Sequence, residues 1–297
     1  MKHRPLWRIS IATTPEAEDA IAVMLGAVMS RIAVSYLNVE TGMCTVTVYC
    51  ETRPAAHVRK TLLARLAPIK KCGLKTGYCK ITIAKVRRED WAKSWKRHFK
   101  PIEIGEALLV KPSWANRRPR RNQAVVILDP GLSFGTGQHP TTGFCLGEIA
   151  RLRKPRTLQS FLDIGTGSGI LAIAAAKIGY QPVQAFDFDA EAVRVARTNA
   201  RINRIQMKLG IRIADVTKLK MRPARKYDLV CANLISDLLI AERRRIAVQV
   251  NHGGTLVLAG ILKSEFREVG TAFENLGLKP VSNKTEKEWR SGSFRLE

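Results

Sequence analysis

One stretch reads Asp163-Ile-Gly165-Thr-Gly167-Ser-Gly169-Ile170, and a second carboxylate, Asp187, follows 22 residues after Gly165. Glycines at alternate positions let backbone N–H groups approach a ligand closely where the apolar segment 170–178 begins. A dinucleotide fingerprint needs G-x-G-x-x-G, so that the helix packs near a pyrophosphate. Here the sixth position is Ile170, and Asp163 stands inside the preceding strand. A carboxylate at that place suits a cationic amino-acid ligand better than a pyrophosphate. Asp187, at the tip of the next strand, stands where a doubly wound fold holds ribose hydroxyls. Together these residues favour S-adenosylmethionine (SAM) over a nicotinamide dinucleotide, with Asp163, Gly165, Gly167 and Asp187 as cofactor-binding residues.

Such residues converge only if strands and helices alternate. The pattern predicts strands at 160–164, 182–186, 208–213, 227–232, 255–258, 279–282 and 293–296, with helices at 170–178, 190–200, 234–250 and 265–276. That alternation specifies a parallel sheet with helices on both faces, whose ligands collect at the carboxyl ends of the strands. Asp163, Asp187, Asp215 and Asn233 all fall at or just past such ends. Asp215 is placed beside the adenine by the same logic.

The first part of the chain reads as a separate α/β module. Strands are predicted at 6–12, 44–50 and 80–86, and helices at 15–29, capped by Thr13 or Thr14, and at 55–67. This order suggests a ferredoxin-like sandwich without a catalytic signature, suited to recognition. A short basic helix follows at 88–101, with Trp91 and Trp95 one turn apart as a packing staple. Strands at 108–111 and 124–128 flank an Arg/Pro loop. The expected organisation is an N-terminal domain over residues 1–88, a connector over 89–105 and a cofactor domain over 106–297.

With 297 residues, 45% of them hydrophobic, the chain has enough apolar material for about two domains. No stretch approaches the roughly 20 apolar residues of a membrane span, and the N-terminus lacks the apolar core of a signal peptide. Six scattered cysteines without a C-x-x-C pair predict reduced, mostly buried thiols, and no metal site is expected among them or the five histidines. A monomeric, cytoplasmic protein is therefore expected. The net charge of +25 peaks at Arg117-Arg-Pro-Arg-Arg121. It suits either non-specific RNA contact or a solvated basic surface.

Three segments, taken together, resemble one family. They are residues 129–142 (Asp-Pro-Gly-Leu-Ser-Phe-Gly-Thr-Gly-Gln-His-Pro-Thr-Thr), residues 162–174 around the glycine turn, and Cys231-Ala-Asn-Leu-Ile-Ser236 with residues 253–263 behind it. This set is similar to the ribosomal protein L eleven methyltransferases (PrmA), and the likeness covers most of residues 88–297. It implies a class I SAM-methyltransferase domain, a Rossmann-like doubly wound α/β sheet, behind a small N-terminal α+β (ferredoxin-like) domain that recognises the substrate. It also implies SAM contacts at Thr142, closing the Gly-rich loop, at Gly165, at Asp187 on the ribose, and at Asn233 beside the methyl group. The implied activity is SAM-dependent protein-lysine N-methylation of ribosomal protein L eleven, with its N-terminal amine as a further acceptor. The basic loop 114–121 and the overall charge depart from the family's pattern and bear on how the substrate docks.

An amine must be neutral to attack a methyl group, and fewer than about one lysine in two thousand is neutral at pH 7. A desolvated slot beside a sulfonium lowers that pKa without a strong general base. Asn233 is the candidate catalytic residue, orienting the amine, with Phe134 and Leu234 as walls and His139 as a loop-structural residue. The alternatives are another protein lysine or RNA as acceptor. Adenine N6 enzymes carry Asn/Asp-Pro-Pro-aromatic where this chain reads Asn233-Leu-Ile-Ser236, which argues against base stacking.

Overall fold

The computed structural model describes residues 6–29, 31, 33–38, 41–71, 74–86, 101–129 and 139–297. The chain divides into two compact units, Met1–His98 and Phe99–Glu297. Residues 89–100 of the expected connector, with both tryptophans, lie outside the described residues. So do residues 130–138 of the Gly-rich segment, including Phe134.

In the first unit, β1 (Leu6–Thr13), α1 (Glu18–Met29), β2 (Val34–Asn38), β3 (Met43–Cys50), α2 (Val58–Lys71) and β4 (Ile81–Val86) follow in that order. The sheet runs β2-β3-β1-β4 and is antiparallel throughout. Period-two alternation sets its register. Ile9 faces Val48 and Ile83, while Ile11 faces Val46 and Ile81. These side chains pack with Ile21 and Leu25 of α1 and Leu62 and Leu66 of α2. Fully burying each such aliphatic side chain stabilises by about 1.5–3 kcal/mol.

Three local expectations fail here. The strand β2 was not anticipated, because Val-Ser-Tyr-Leu-Asn is a short edge strand with little apolar signal. Neither threonine caps α1. Thr14 stands at the N-cap of a 3-10 turn, Pro15–Ala17, and its hydroxyl donates to the Lys75 carbonyl, while Thr13 donates to Thr76 O. The second helix passes Pro68 and ends at Lys71 rather than at residue 67.

The second unit begins with a three-stranded sheet of β5 (Ile102–Ile104), β6 (Leu108–Lys111) and β7 (Ala124–Ile127). It continues through α3 (Pro140–Arg151), β8 (Phe161–Ile164), α4 (Ile170–Lys177), β9 (Val183–Asp187), α5 (Ala190–Ile202), β10 (Leu209–Ile213) and β11 (Tyr227–Asn233). It ends with α6 (Ser236–Ala241), α7 (Arg243–Ala247), β12 (Val250–Ala259), α8 (Phe266–Glu274), β13 (Leu278–Glu286) and β14 (Trp289–Leu296). The large sheet has the order β10-β9-β8-β11-β12-β14-β13.

All four residues of β8 are buried, because helices cover both faces of the sheet at its centre. Phe161, Ala174, Cys231 and Val257 pack on one side; Leu162, Val230, Leu256 and Phe273 pack on the other. The sheet is not parallel throughout. Strands β10 to β12 are parallel, whereas β14 runs antiparallel to both β12 and β13. A two-residue connection through Lys287, at φ 55°, makes β13–β14 a hairpin, and no crossover helix can fit there. The expected helix 234–250 is two short helices broken at Glu242. After β8 the chain builds outward to β9 and β10, then returns to place β11 on the other side of β8. This reversal puts the topological switch point between β8 and β11, where such folds bind ligands.

Candidate functional site

The glycine turn leaves β8 as a chain of left-handed residues: Gly165 at φ 74°, Gly167 at 52° and Gly169 at 81°. Each glycine does something different. A Cβ on Gly165 would lie 2.5 Å from Leu234 Cδ2, so the residue after Asn233 closes directly over the turn. The amide of Gly167 donates to Asp187 Oδ2 at 2.9 Å, tying the turn to the tip of β9. Gly169 is the N-cap of α4, and a Cβ there would lie 3.0 Å from Ala196 Cβ. Its role is to let α4 and α5 approach, as the third glycine of a dinucleotide turn does.

Asp163 is buried inside β8. Its Oδ2 accepts a hydrogen bond from the Thr166 hydroxyl at 2.7 Å, while Oδ1 is buried without a partner among the described residues. Burial pushes the carboxyl up to about 7, against the pull of Thr166 and of the Ala172 amide, and the Asp187 charge raises it further. A buried, half-satisfied carboxylate is costly unless something positive completes it. Asp187, the last residue of β9, is already held by backbone. Oδ2 takes the Gly167 amide and Oδ1 the Asp189 amide at 3.1 Å. Each oxygen retains a lone pair for a ligand hydroxyl.

Asn233 ends β11 beside Ala259 of β12. Its Oδ1 lies 3.0 Å from where a Cβ on Gly260 would stand, and Leu234 O lies 2.6 Å from the same point. Gly260, at φ 82°, therefore leaves the space that the Asn233 amide and the Leu234 backbone occupy. Asn199 of α5 is a further support. It is buried, and its Nδ2 donates to Ser168 O within the glycine turn at 2.8 Å.

The remaining expected residues fall as follows. Thr142 lies within the first turn of α3, buried, rather than in a loop. Asp215 follows β10, next to β9, and its Oδ1 caps a 3-10 turn by accepting from the Thr217 amide at 2.9 Å. The Thr217 amide, then its hydroxyl, with Lys218 nearby, hold the Asp215 carboxyl below the usual range. His139 is the N-cap residue of α3, with Nδ1 2.7 Å from Thr141 Oγ1 and its ring edge-on to Trp289.

Two lip residues had no signal in the sequence. Phe188, directly after Asp187, is 79% exposed, and Ile235, directly after Leu234, is 68% exposed. They are apolar side chains left uncovered at the mouth of the site. Among the described residues no His/Cys/Asp/Glu cluster could hold a metal ion, and the five described cysteines are buried and free. A separate groove of about 560 Å³ opens between Arg243 and the outer face of α8. It is lined by Ser264, Arg267, Thr271 and Asn275 and by none of the strand-end residues.

The glycine cradle, the orphaned Asp163 oxygen and the amide-held Asp187 fit a ligand with a cationic amino-acid end and a ribose. The sequence pattern of the family described as ribosomal protein L11 methyltransferase (PrmA) matches residues 5–296. The chain belongs to this family. A relative named ribosomal protein L11 methyltransferase from Geobacter sulfurreducens is 40% identical over 216 residues, covering 73% of this chain and 69% of the relative. One of the same name from Geotalea uraniireducens is 38% identical over 225 residues, covering 72% and 70%. The crystal structure of a ribosomal protein L11 methylase from Lactobacillus delbrueckii subsp. bulgaricus superposes with a TM-score of 0.59 at 26% identity. That superposition covers 67% of this chain and 99% of the other. The fold is that of the class I SAM-dependent methyltransferases, as the PrmA resemblance implied. Among the described residues, no helix is long and apolar enough to cross a membrane.

Proposed function

We propose that the protein transfers methyl groups from SAM to amino groups of ribosomal protein L11, lysine side chains and the N-terminal amine among them. The first unit recognises the substrate and the second carries the chemistry. One observation carries this reading. The residues that fit the cofactor and the amide that fits an amine acceptor meet at the β8–β11 switch point, in a chain matched over residues 5–296 to a family named for this substrate.

SAM supplies an electrophilic methyl group on a sulfonium. The chain supplies binding, alignment and exclusion of water. Asp163 faces the cationic end with its unpartnered oxygen. Asp187 would hold ribose hydroxyls on its remaining lone pairs, and the exposed Phe188 would offer an apolar contact to the adenine. Thr142, Gly165, Gly167 and Asp215 complete the cofactor contacts, with Asp215 as the weakest because its carboxylate already caps a turn. Asn233 accepts a hydrogen bond from the attacking amine and aims its lone pair, while Leu234 and Ile235 keep water from the slot. Alignment of this kind accounts for much of the acceleration of a bimolecular transfer. A desolvated slot favours the neutral amine, so no strong base is required.

Labelled SAM incubated with L11 tests the assignment, with mass spectrometry locating the modified amines. Asn233→Ala should lower transfer by about 100-fold, or about 2.7 kcal/mol in the barrier. SAM binding measured by calorimetry should stay within a few-fold of wild type. Label on ribosomal RNA instead of protein, or full transfer by the variant, overturns the reading.

A further inference from the structure

The charge of the second unit is not spread evenly, and most of its positive excess falls in one stretch. The arginine-rich loop 117–121 looks like the peak in the sequence, yet Glu103 holds both Arg117 and Arg120 in ion pairs. The segment 192–227 is different. It contains eleven Lys and Arg and a single acid, Asp215. The rest of residues 125–297 is electrically balanced, with fifteen residues of each sign.

The part of this segment up to residue 213 forms one edge of the large sheet, and the part after it leaves that edge, with Val216 and Leu219 packed against Leu239 and Ile246. Arg194, Arg197, Arg201 and Arg204 follow one another at steps of three and four along the exposed side of α5 and its C-terminal turn, so they share one face. Lys208 leads into β10, which is the edge strand, and Arg212 lies over the Phe186 ring within it. Lys218, Lys220, Arg222, Arg225 and Lys226 continue through the exposed return to β11. Among the described residues, Arg194 is ion-paired with Glu191, but no carboxylate pairs with Arg201, Arg204 or Lys208. Burial, then the neighbouring charges of Lys208 and Arg204, hold Lys177 below the usual lysine range. One or two lysines suffice to protect an edge strand from pairing with another chain. Six cations between residues 192 and 214, with no acid among them, exceed that need and cost self-repulsion, which an anionic partner would relieve.

We propose that the α5–β10 edge is a docking surface for the phosphate backbone of double-helical RNA. Exposed arginines and lysines repeated at steps of three and four along the helix, beside the edge strand, match a polyanion of regular spacing. No aromatic side chain is exposed between residues 192 and 227; the exposed apolar residues are Ile202, Met207, Ile213 and Met221. Without a stacking platform, single-stranded recognition through bases is disfavoured and binding is independent of sequence. The surface is built from residues outside the strand-end site, so it stands or falls separately from methyl transfer.

The test measures binding of the full chain to an RNA hairpin with a stem of about 16 base pairs by fluorescence anisotropy across a salt series. With about four phosphates neutralised, affinity should fall about 100-fold between about 50 and 200 mM salt. The triple variant Arg201→Glu, Arg204→Glu, Lys208→Glu should weaken binding at least about ten-fold and flatten the salt slope by two or more. Its unchanged SAM affinity reports that the fold is intact. Arg117→Glu with Arg118→Glu should change RNA binding less. Absence of binding at low salt, equal binding by wild type and triple variant, or equal affinity for polyglutamate or for anionic vesicles overturns the proposal.

Discussion

Two carboxylates flank the glycine turn on neighbouring strands, and their surroundings are opposite. Asp187 sits at a strand tip, where two backbone amides converge on it and leave room for a ligand hydroxyl. Asp163 sits inside the central strand with one hydroxyl donor and one oxygen unpartnered among the described residues, its pKa pushed up to about 7. The difference shows how the fold distributes tasks. The first carboxylate is stabilised by the protein and serves as a fixed acceptor. The second is destabilised in its charged form until a cation reaches it, so it gains most from the cofactor. Folding cost and binding gain are thus concentrated on one residue.

Removing Asp163's charge should break this contrast most strongly. Asp163→Asn is expected to weaken SAM binding about 100-fold, or about 2.7 kcal/mol, measured by calorimetry. Its pH dependence has a definite sign. The folded carboxyl titrates near 7 against a usual 3.8, so the folded chain keeps a proton that the unfolded chain releases. Its contribution to stability is full below the unfolded value and is lost as pH rises from about 4 to about 7. In ligand-free protein, the stability of Asp163→Asn relative to wild type should therefore rise across that window. In the same window wild-type SAM affinity should rise with pH while the variant's stays flat. A flat difference in stability means that Asp163 is already ionised in the ligand-free fold.

Gly169→Ala sharpens the comparison by disturbing the turn between the two acids. A left-handed backbone and the 3.0 Å approach to Ala196 should together cost about 2–3 kcal/mol in denaturant unfolding. Next come two asparagines, Asn199 within α5 and Asn203 at its C-cap. Asn203 donates to Ile127 O and Asn199 O and accepts from the Ile127 amide, whereas Asn199 reaches the glycine turn. Asn203→Ala should cost about 2 kcal/mol of stability with unchanged SAM affinity. Asn199→Ala should raise the SAM dissociation constant about ten-fold, or about 1.4 kcal/mol, with kcat at saturation retained. Equal effects on affinity would remove the distinction. Smallest is Asp215→Ala, a half-buried cap after the edge strand, expected to change SAM affinity by less than the Asn199 variant does.

Some of this is readable from residue types. Asp163, the three glycines and Asp187 announce themselves because a strand, a turn of positive φ and a strand-tip acid each demand particular side chains. Asn233 is legible as the end of an apolar run. Other features are not. Thr142 looks like the last residue of a loop, since Gly and Pro dominate what precedes it, yet it lies in the first turn of a buried helix. Gly260, Leu234 and Asn199 contribute through contacts across strands or helices, which no local pattern encodes. β2 escapes for the same reason, as an edge strand defined by the neighbour it pairs with, and the strands expected at 279–282 and 293–296 carry no local sign of their antiparallel pairing.

The sequence alone determines the glycine turn, the alternation that specifies a doubly wound sheet, and the kinship of the chain. These follow from local chemistry, namely backbone conformations only glycine adopts easily and periodicities set by helix and strand geometry. Only the tertiary structure decides that Leu234 closes on Gly165, that Asp163 keeps an unsatisfied oxygen while Asp187 does not, and that Glu103 pairs with two arginines of the 117–121 loop while, among the described residues, no carboxylate pairs with Arg201, Arg204 or Lys208. Those outcomes depend on distances between residues far apart in the chain. Burial and pairing, which set the energy of a charge, exist only once the chain has folded.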